Sequence, residues 1–174
     1  MVVMRTEKSK QALIDFCKHI NNITPACKME IIEIGSFAGD STKIFCSWFK
    51  SVIAIDPWVS NIGDITDRVN MNEVYKYFID NTRAFSNLRV IKDFSYNAIH
   101  SFKNFKCDLV YIDGGHTYEE VKQDLSDWLP IVKNCGFIAG HDYCKKFPGV
   151  MKAVDEIIEI PDKIFPDSSW LKRI

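Results

Sequence analysis

Polar residues that could bind a ligand or do acid–base chemistry follow each of five short apolar runs in the chain. They are Gly35 to Ser41, Asp56, Asp93, Asp113 to His116, and the pair His141–Asp142. Parallel strands end at one edge of a sheet, and ligands of open α/β folds bind beyond that edge. If the apolar runs are such strands, we expect all five groups to lie around one site.

The last two groups carry the side chains best suited to proton transfer. His116 has an imidazole, which titrates near neutral pH and therefore suits a proton acceptor, and Asp113 lies three residues before it. Neighbouring strands are about 5 Å apart, so Asp113 and Asp142 would come within reach of one cation. Simpler roles stay open: His116 could bond the loop backbone, and His141–Asp142 could close a loop without a metal.

The segment Glu33–Ser41 reads as the end of a strand, a glycine loop and the start of a helix. Glycine lets a backbone approach a ligand closely, and a helix N-terminus offers unpaired N–H groups, so we expect a side chain at Gly35 to block the ligand. Asp56 follows about twenty residues later, where nucleotide-type folds bind a ribose. The spacing is not the dinucleotide one, because Phe37 and Asp40 stand in place of glycines. A purely structural role of the glycines in a tight turn stays open.

Hydrophobic periodicity predicts the elements that position these residues. Helices are predicted over 7–20, 41–50, 71–85, part of 94–105, 117–130 and 151–160. Asp40 or Ser41 is the expected N-cap of the second helix. Thr117 and Glu120 form a capping box at the start of the fifth helix, which Pro130 kinks or ends and for which Gly136 is the expected C-terminal stop. Strands are predicted over 29–34, 51–55, 88–91, 108–112 and 137–140, followed by a hairpin of 163–165 and 170–174. Alternating strands and helices indicate a mostly parallel sheet with helices on both faces.

Composition narrows the classes of function. The 174 residues suggest one domain, and a net charge of −1 gives no electrostatic case for nucleic acid. No apolar run approaches the roughly 20 residues of a membrane span, and the N-terminus lacks the features of a signal peptide. Six scattered cysteines without a C-x-x-C pair favour free thiols over disulfides or zinc. We therefore expect a cytoplasmic protein with no nucleic-acid or membrane partner.

Two stretches carry a resemblance to a known family. The form E-x-G-x-x-x-G at Glu33–Gly39, followed by a strand ending in Asp56, resembles the first two motifs of class I S-adenosylmethionine (SAM)-dependent methyltransferases. The stretch Val110–Tyr118, with Asp124, Trp128, Leu129, Gly136 and His141–Asp142, resembles the small branch that includes macrocin-type sugar O-methyltransferases and cephalosporin-hydroxylase-like proteins. Its most specific part is I-D-G-x-H followed by H-D, and the resemblance covers about residues 30–158.

The resemblance implies a fold and a set of residue roles. The fold would be a single Rossmann-like domain with a seven-stranded, mostly parallel sheet, formed by an N-terminal helical extension (1–28) and a core (29–174). The predicted SAM contacts are Glu33, Gly35, Ser36, Phe37, Gly39, Ser41, Asp56, Pro57, Trp58, Asp93, Phe94, Ser95 and Asp113. Within that set, Asp56 would hold the ribose hydroxyls, and Pro57 and Trp58 would border the adenine.

The resemblance also implies a base and a metal site. The histidine matching His116 is the general base of the metal-dependent relatives, in which residues matching Asp113, His141 and Asp142 bind magnesium. This chain has His141 where those relatives carry a carboxylate. Magnesium prefers oxygen ligands, so the imidazole would shift the preference from Mg²⁺ toward Mn²⁺.

The predicted function is therefore SAM-dependent methylation of a hydroxyl group on a small acceptor such as a sugar. Two alternatives stay open: SAM binding without methyl transfer, and an α/β enzyme that uses another nucleotide or performs metal-assisted hydrolysis. No separate domain is predicted to cover the acceptor. We expect its site to come from the N-terminal helix, the 57–70 loop, or a second subunit of a homo-oligomer.

Overall fold

One mixed sheet organises the part of the chain that the computed structural model describes, residues 5–60 and 69–174. Its strands are β1 (Glu30–Ile34), β2 (Ser51–Ile55), β3 (Leu88–Ile91), β4 (Cys107–Ile112), β5 (Val132–Gly140), β6 (Lys163–Ile164) and β7 (Trp170–Arg173). They lie in the order β3-β2-β1-β4-β5-β7-β6. The first five pair in parallel, and β7 pairs antiparallel to both β5 and β6. This confirms the predicted seven-stranded Rossmann-like fold.

Helices cover both faces of the sheet. They are α1 (Glu7–Ile23), α2 (Asp40–Trp48), α3 (Met71–Thr82), α4 (Ser95–Ala98), α5 (Tyr118–Trp128) and α6 (Pro148–Ile157). Leu109 and Tyr111 of β4 pack on the face that carries α1 and α2, whereas Val110 and Ile112 pack on the face of α5 and α6. No helix of the described residues is long and apolar enough to cross a membrane.

The strand order reverses between β1 and β4. From β1 the chain continues outward to β2 and β3, and from β4 it continues the other way to β5. Backbone hydrogen bonds extend past the strand ends, because Asp113 N donates to Ile34 O at 2.7 Å and His141 N donates to Ile112 O at 3.0 Å. The loops after β1, β4 and β5 are thereby held side by side at the edge where the sequence predicts a site.

Several predicted boundaries differ from the structure by a few residues, and two of the differences have a clear physical reason. Gly136 lies inside β5 and does not end a helix, since β5 begins at Val132 and α5 already ends at Trp128. A Cβ at Gly136 would lie 2.8 Å from Asp108 O, so glycine is needed there by the close approach of β4. Helix α2 takes Gly39 as its N-cap, one residue before the predicted caps. The capping box of Thr117 and Glu120 at the start of α5 is confirmed.

Candidate active site

A cleft of about 1040 Å³ opens at the carboxyl edge of the sheet, where the strand order reverses. It is lined by nine of the predicted SAM contacts, namely Gly35, Ser36, Phe37, Ser41, Asp56, Pro57, Phe94, Ser95 and Asp113, and by His116, His141 and Asp142. The start of the N-terminal helix also reaches the cleft through Arg5, Thr6 and Ser9. Of the predicted 57–70 loop, residues 61–68 lie outside the described part of the chain.

The glycine loop is shaped by contact with the loop after β4. Gly35 has a φ of +85°, and a Cβ on it would lie 2.0 Å from the carbonyl oxygen of Asp113. That distance is far too short for any side chain, and the obstacle is backbone. Glycine at position 35 is therefore required by the packing of two loops, which differs from the expectation that a side chain there would obstruct a ligand.

Asp56 fastens the glycine loop from the end of β2. Its Oδ2 accepts a hydrogen bond from Phe37 N at 2.9 Å, and its Oδ1 accepts one from Trp58 N at 2.7 Å. Burial raises the pKa of Asp56, and the amide hydrogen bonds act against that rise. A carboxylate has about four lone-pair sites, so Asp56 retains capacity for a ligand while it holds the loop.

Glu33 supports the same loop from beneath. It is fully buried and accepts hydrogen bonds from the hydroxyls of Ser36 and Thr42. Burial raises the pKa of Glu33 to about 7, although these hydrogen bonds lower it. Glu33 does not line the cleft, so the structure gives it a supporting position below the predicted SAM contacts.

Trp58 also lies behind the cleft wall. Its side chain is buried, with ring centroids 4.7 Å from those of Tyr75 and Phe78 on α3. Its Nε1 donates to Phe37 O at 2.8 Å. The structure therefore places Trp58 in the core, where its indole braces the glycine loop from behind the cleft wall.

Asp93 and Gly39 are likewise absent from the cleft lining. Asp93 Oδ1 accepts hydrogen bonds from Phe94 N at 2.8 Å and from Asn97 Nδ2 at 3.0 Å, so it stabilises the first turn of α4. Gly39 has a φ of +84° and begins α2. Asp93 thereby positions Phe94 and Ser95, which line the cleft. Gly39 likewise precedes Ser41, which also lines the cleft.

His116 and Asp142 form a hydrogen-bonded pair on the wall of the cleft. His116 Nε2 lies 2.9 Å from Asp142 Oδ2. The imidazole stacks on the ring of Phe147, with 4.6 Å between the ring centroids and an angle of 22° between the ring planes. Asp142 Oδ1 is 3.1 Å from His141 Nδ1. Burial alone would raise the pKa of Asp142, but the hydrogen bonds from the two histidines outweigh it and hold that pKa well below its usual range. Asp142 is therefore a carboxylate that orients an imidazole.

Arg5 pairs with the other carboxylate of this cluster. Its guanidinium forms an ion pair with Asp113, and its backbone N–H donates to Asp40 Oδ2 at 2.8 Å. Burial raises the pKa of Asp113, while Arg5 and His141 lower it, and the net shift is upward. The N-terminal segment thus supplies a positive charge at the end of β4.

The three predicted metal ligands are also brought together. Asp113, His141 and Asp142 each offer one ligand atom, and these atoms all lie within 4.8 Å of one another. The other nitrogen of His141, Nε2, lies 3.8 Å from Asp167 Oδ2. That distance is too long for a hydrogen bond, and Nε2 is a buried nitrogen without a hydrogen-bond partner among the described residues. Two carboxylates and one imidazole are a donor set that fits a divalent transition ion. Arg5 provides a competing positive charge beside Asp113.

Sequence reasoning did not single out Arg5, Asp124 or Asp167 as site residues. Arg5 lies 108 residues from Asp113 and belongs to no motif, so no local signal could have found it. Asp124 carried a signal, because it falls on the buried stripe of α5 with Val121 and Trp128, where a charge is unusual. Asp124 is buried, lines the cleft and accepts a hydrogen bond from Ser95 Oγ, and burial raises its pKa to about 7.

A family model described as a methyltransferase domain matches residues 32–143, which is more than half of the chain. The chain belongs to this methyltransferase family. The matched range includes the glycine loop, Asp56, Asp113, His116 and the His141–Asp142 pair, and the family implies SAM as the cofactor. The resemblance to methyltransferases inferred from the motifs is thereby confirmed.

Two curated proteins are similar to this chain in sequence. Over 136 residues the chain is 31% identical to the uncharacterized protein R132 of Acanthamoeba polyphaga mimivirus, and the match covers 73% of this chain and 58% of that protein. Over 119 residues it is 24% identical to the uncharacterized protein y4gI of Sinorhizobium fredii, and this match covers 64% of this chain and 13% of that protein. The chain therefore spans 58% and 13% of the length of these two relatives.

Solved structures share the fold at low identity. CalS11, a TDP-rhamnose 3′-O-methyltransferase of calicheamicin biosynthesis, is 14% identical with a TM-score of 0.67, covering 97% of this chain and 80% of its own. The N-methyltransferase NodS of Bradyrhizobium japonicum is 12% identical with a TM-score of 0.64, covering 98% and 97%. Because these two enzymes methylate different atoms, the likeness establishes the methyltransferase fold and leaves the acceptor atom to be argued from the site.

Proposed function

We propose that the chain transfers the methyl group of SAM to a hydroxyl oxygen of a small acceptor. The observation that carries this proposal is the hydrogen bond between His116 and Asp142 on the wall of the cleft, at 2.9 Å. An alcohol has a high pKa and reacts poorly unless its proton is removed, so O-methylation is the transfer that most needs a base at this position.

The cleft offers partners to each part of SAM, which supplies a methyl group activated by a sulfonium when it is bound. Gly35, Ser36 and Ser41 line the part of the cleft next to β1 and would hold the amino-acid end. Asp56 would accept hydrogen bonds from the ribose hydroxyls with the lone pairs that the loop amides leave. Phe94 and Ser95 line the wall beyond Asp56, where the adenine of SAM would lie.

The residues after β4 and β5 would handle the acceptor proton. Asp142, whose pKa is held low, accepts a hydrogen bond from His116 Nε2–H and so fixes the tautomer of the ring. The ring held in this way would take the hydroxyl proton. The negative charge of Asp142 would stabilise the imidazolium that results, and Phe147 keeps the ring in place from one face.

Methyl transfer from labelled SAM to a panel of sugars and other hydroxylated compounds tests this proposal. With an acceptor from that panel, His116→Ala should lower kcat by about 10²–10⁴-fold, the usual contribution of a positioned base, while calorimetry shows unchanged SAM affinity. Asp142→Asn should also lower kcat. The matched control is His100→Ala, because His100 is exposed. A kcat within a few-fold of wild type for His116→Ala would contradict the assignment. SAM binding without turnover of any panel member would favour a protein that binds SAM without transferring its methyl group.

A divalent cation forms a second part of the proposal, because three ligand atoms converge beside the base. Asp113, His141 and Asp142 would hold the ion. An ion there would lower the pKa of the acceptor hydroxyl and so share the work of deprotonation with His116. It would also take over the charge balance of Asp113, which Arg5 provides in this structure.

A further inference from the structure

The two ring nitrogens of His141 have different surroundings. Nδ1 faces the carboxylates of the proposed cation site, 3.1 Å from Asp142 Oδ1 and 3.7 Å from Asp113 Oδ1. Nε2, on the opposite side of the ring, is buried and has no hydrogen-bond partner among the described residues. A buried polar atom that makes no hydrogen bond costs free energy, and the proposed reaction gives Nε2 no task.

Asp167 is the acid that lies behind Nε2 of His141. It belongs to the turn between β6 and β7, and only 3% of its side chain is exposed. Its Oδ2 is 3.8 Å from Nε2, which exceeds the length of an N–H···O hydrogen bond by roughly 0.8 Å. A shift of the imidazole by less than about 1 Å would therefore join the two groups.

A chain of buried hydroxyl groups holds Asp167 in this position. Ser169 donates to it twice, from its backbone N to Oδ1 and from its Oγ to Oδ2, each at 3.1 Å. The hydroxyl of Tyr111 on β4 lies 2.9 Å from Ser169 Oγ, and both side chains are fully buried. Because the Ser169 hydroxyl gives its proton to Asp167, Tyr111 is the donor to Ser169. The chain ends on the carboxylate, which keeps lone pairs for a donor on the side of His141.

We propose that Asp167 positions His141 as a cation ligand by accepting a hydrogen bond from Nε2–H. A histidine that binds an ion through Nδ1 has no proton on that nitrogen, so the ring proton lies on Nε2 and needs an acceptor there. Asp142 Oδ1 competes for the opposite arrangement, because it lies within hydrogen-bonding distance of Nδ1. Asp167 favours the tautomer that leaves Nδ1 available to the ion. This inference rests on the proposed cation, to which it adds a positioning residue from the β6–β7 turn.

Calorimetric titration with Mn²⁺ tests the role of Asp167 without an acceptor or turnover. Asp167→Asn keeps the size of the side chain and an acceptor oxygen for the turn, but it loses the charge that attracts Nε2–H. The variant should weaken Mn²⁺ by about 10-fold or more, the usual effect of losing the partner of a ligating histidine. The decisive comparison repeats the substitution in His141→Asn, whose amide oxygen replaces Nδ1 as a ligand and which has no counterpart of Nε2. A hydrogen bond to Nε2 predicts a loss about 10-fold larger with His141 than with asparagine at that position, whereas a general effect of charge would be equal in both.

A second measurement needs no variant at Asp167. Nitrogen-15 NMR of the wild-type protein with Zn²⁺, a diamagnetic ion, should show the proton of the His141 ring on Nε2 and the ion on Nδ1. The matched control for the titrations is Glu119→Gln, which removes an exposed acid from the cleft wall and should bind Mn²⁺ like wild type because solvent screens its charge. Equal losses of affinity in both backgrounds, or coordination of Zn²⁺ through Nε2, would overturn the inference. Failure of the wild type to bind either ion would overturn the proposed cation as well, so the two failures are distinguishable.

Discussion

Glu33 should make the stability of this protein depend on pH in a way that one substitution removes. Its pKa is raised from 4.5 to about 7 because the carboxyl group is fully buried under the glycine loop. In the unfolded chain the group regains its ordinary pKa. Between these two values the folded state therefore binds a proton that the unfolded state does not.

The sign and size of the effect follow from that difference. A group with a raised pKa in the folded state contributes its full stability below pH 4.5, and that contribution is lost as the pH rises through 7. Each unit of difference between the folded and unfolded pKa values is worth about 1.4 kcal/mol, so the free energy of unfolding that is lost between pH 4.5 and 8 is about 3 kcal/mol. Glu33→Gln keeps an acceptor for Ser36 and Thr42 and cannot ionise. Relative to wild type, the variant should gain about 3 kcal/mol over this range.

Chemical denaturation of both proteins at several pH values measures this gain directly. The free energy of unfolding of Glu33→Gln minus that of wild type should rise with pH, whatever constant offset the amide introduces. Glu30→Gln is the matched control, because Glu30 lies on the same strand with its side chain 34% exposed and near Lys50. A difference between Glu33→Gln and wild type that stays flat from pH 4.5 to 8 would refute the account of Glu33 as a buried acid with a raised pKa.

Three further predictions concern the cleft. Asp56→Ala should weaken SAM by about 2–4 kcal/mol in calorimetry, because it removes the ribose acceptor and releases the amide of Phe37, and an unchanged affinity would exclude Asp56 from the site. Gly35→Ala should leave little folded protein by circular dichroism, since its Cβ would meet Asp113 O at 2.0 Å, and a folded variant that fails only to bind SAM would restore the ligand-blocking interpretation. If Asp113 and its neighbours hold an ion, EDTA should suppress turnover and Mn²⁺ should restore it better than Mg²⁺, whereas full activity in EDTA would leave Arg5 as the charge partner.

The fold could be predicted because its signals are local. Each buried strand of the parallel sheet is a short apolar run, and each amphipathic helix shows its period within a few turns. The error at β5 has a physical reason: its first half contains Lys133, Asn134 and Cys135, of which the last two are exposed, so it lacks the apolar run of a central strand. The pairing of Cys107 with Val132 extends the strand, and that contact is not visible in local sequence.

The location of the site could be predicted as well, because topology brings the ends of parallel strands to one edge. The direction of each side chain could not. Asp93 and Trp58 lie two and three residues after strands β3 and β2. The side chain of Asp93 nevertheless stabilises α4, and that of Trp58 enters the core beside Tyr75 and Phe78. Whether a residue after a strand faces the ligand depends on what packs behind it, and those partners come from distant parts of the chain.

The acids around the cleft show how burial and partners divide their roles. Asp142 is fixed as an anion by hydrogen bonds with two histidines, which suits it to orient a base. Burial raises the pKa values of Glu33 and Asp124, the hydrogen bonds that they accept from hydroxyl groups act against that rise, and nearby acids add to it. Glu33 has its hydroxyl partners in the loop it supports and faces no ligand. Asp124, by contrast, borders the open space of the cleft, so its carboxyl group lies on the wall that a bound molecule would meet.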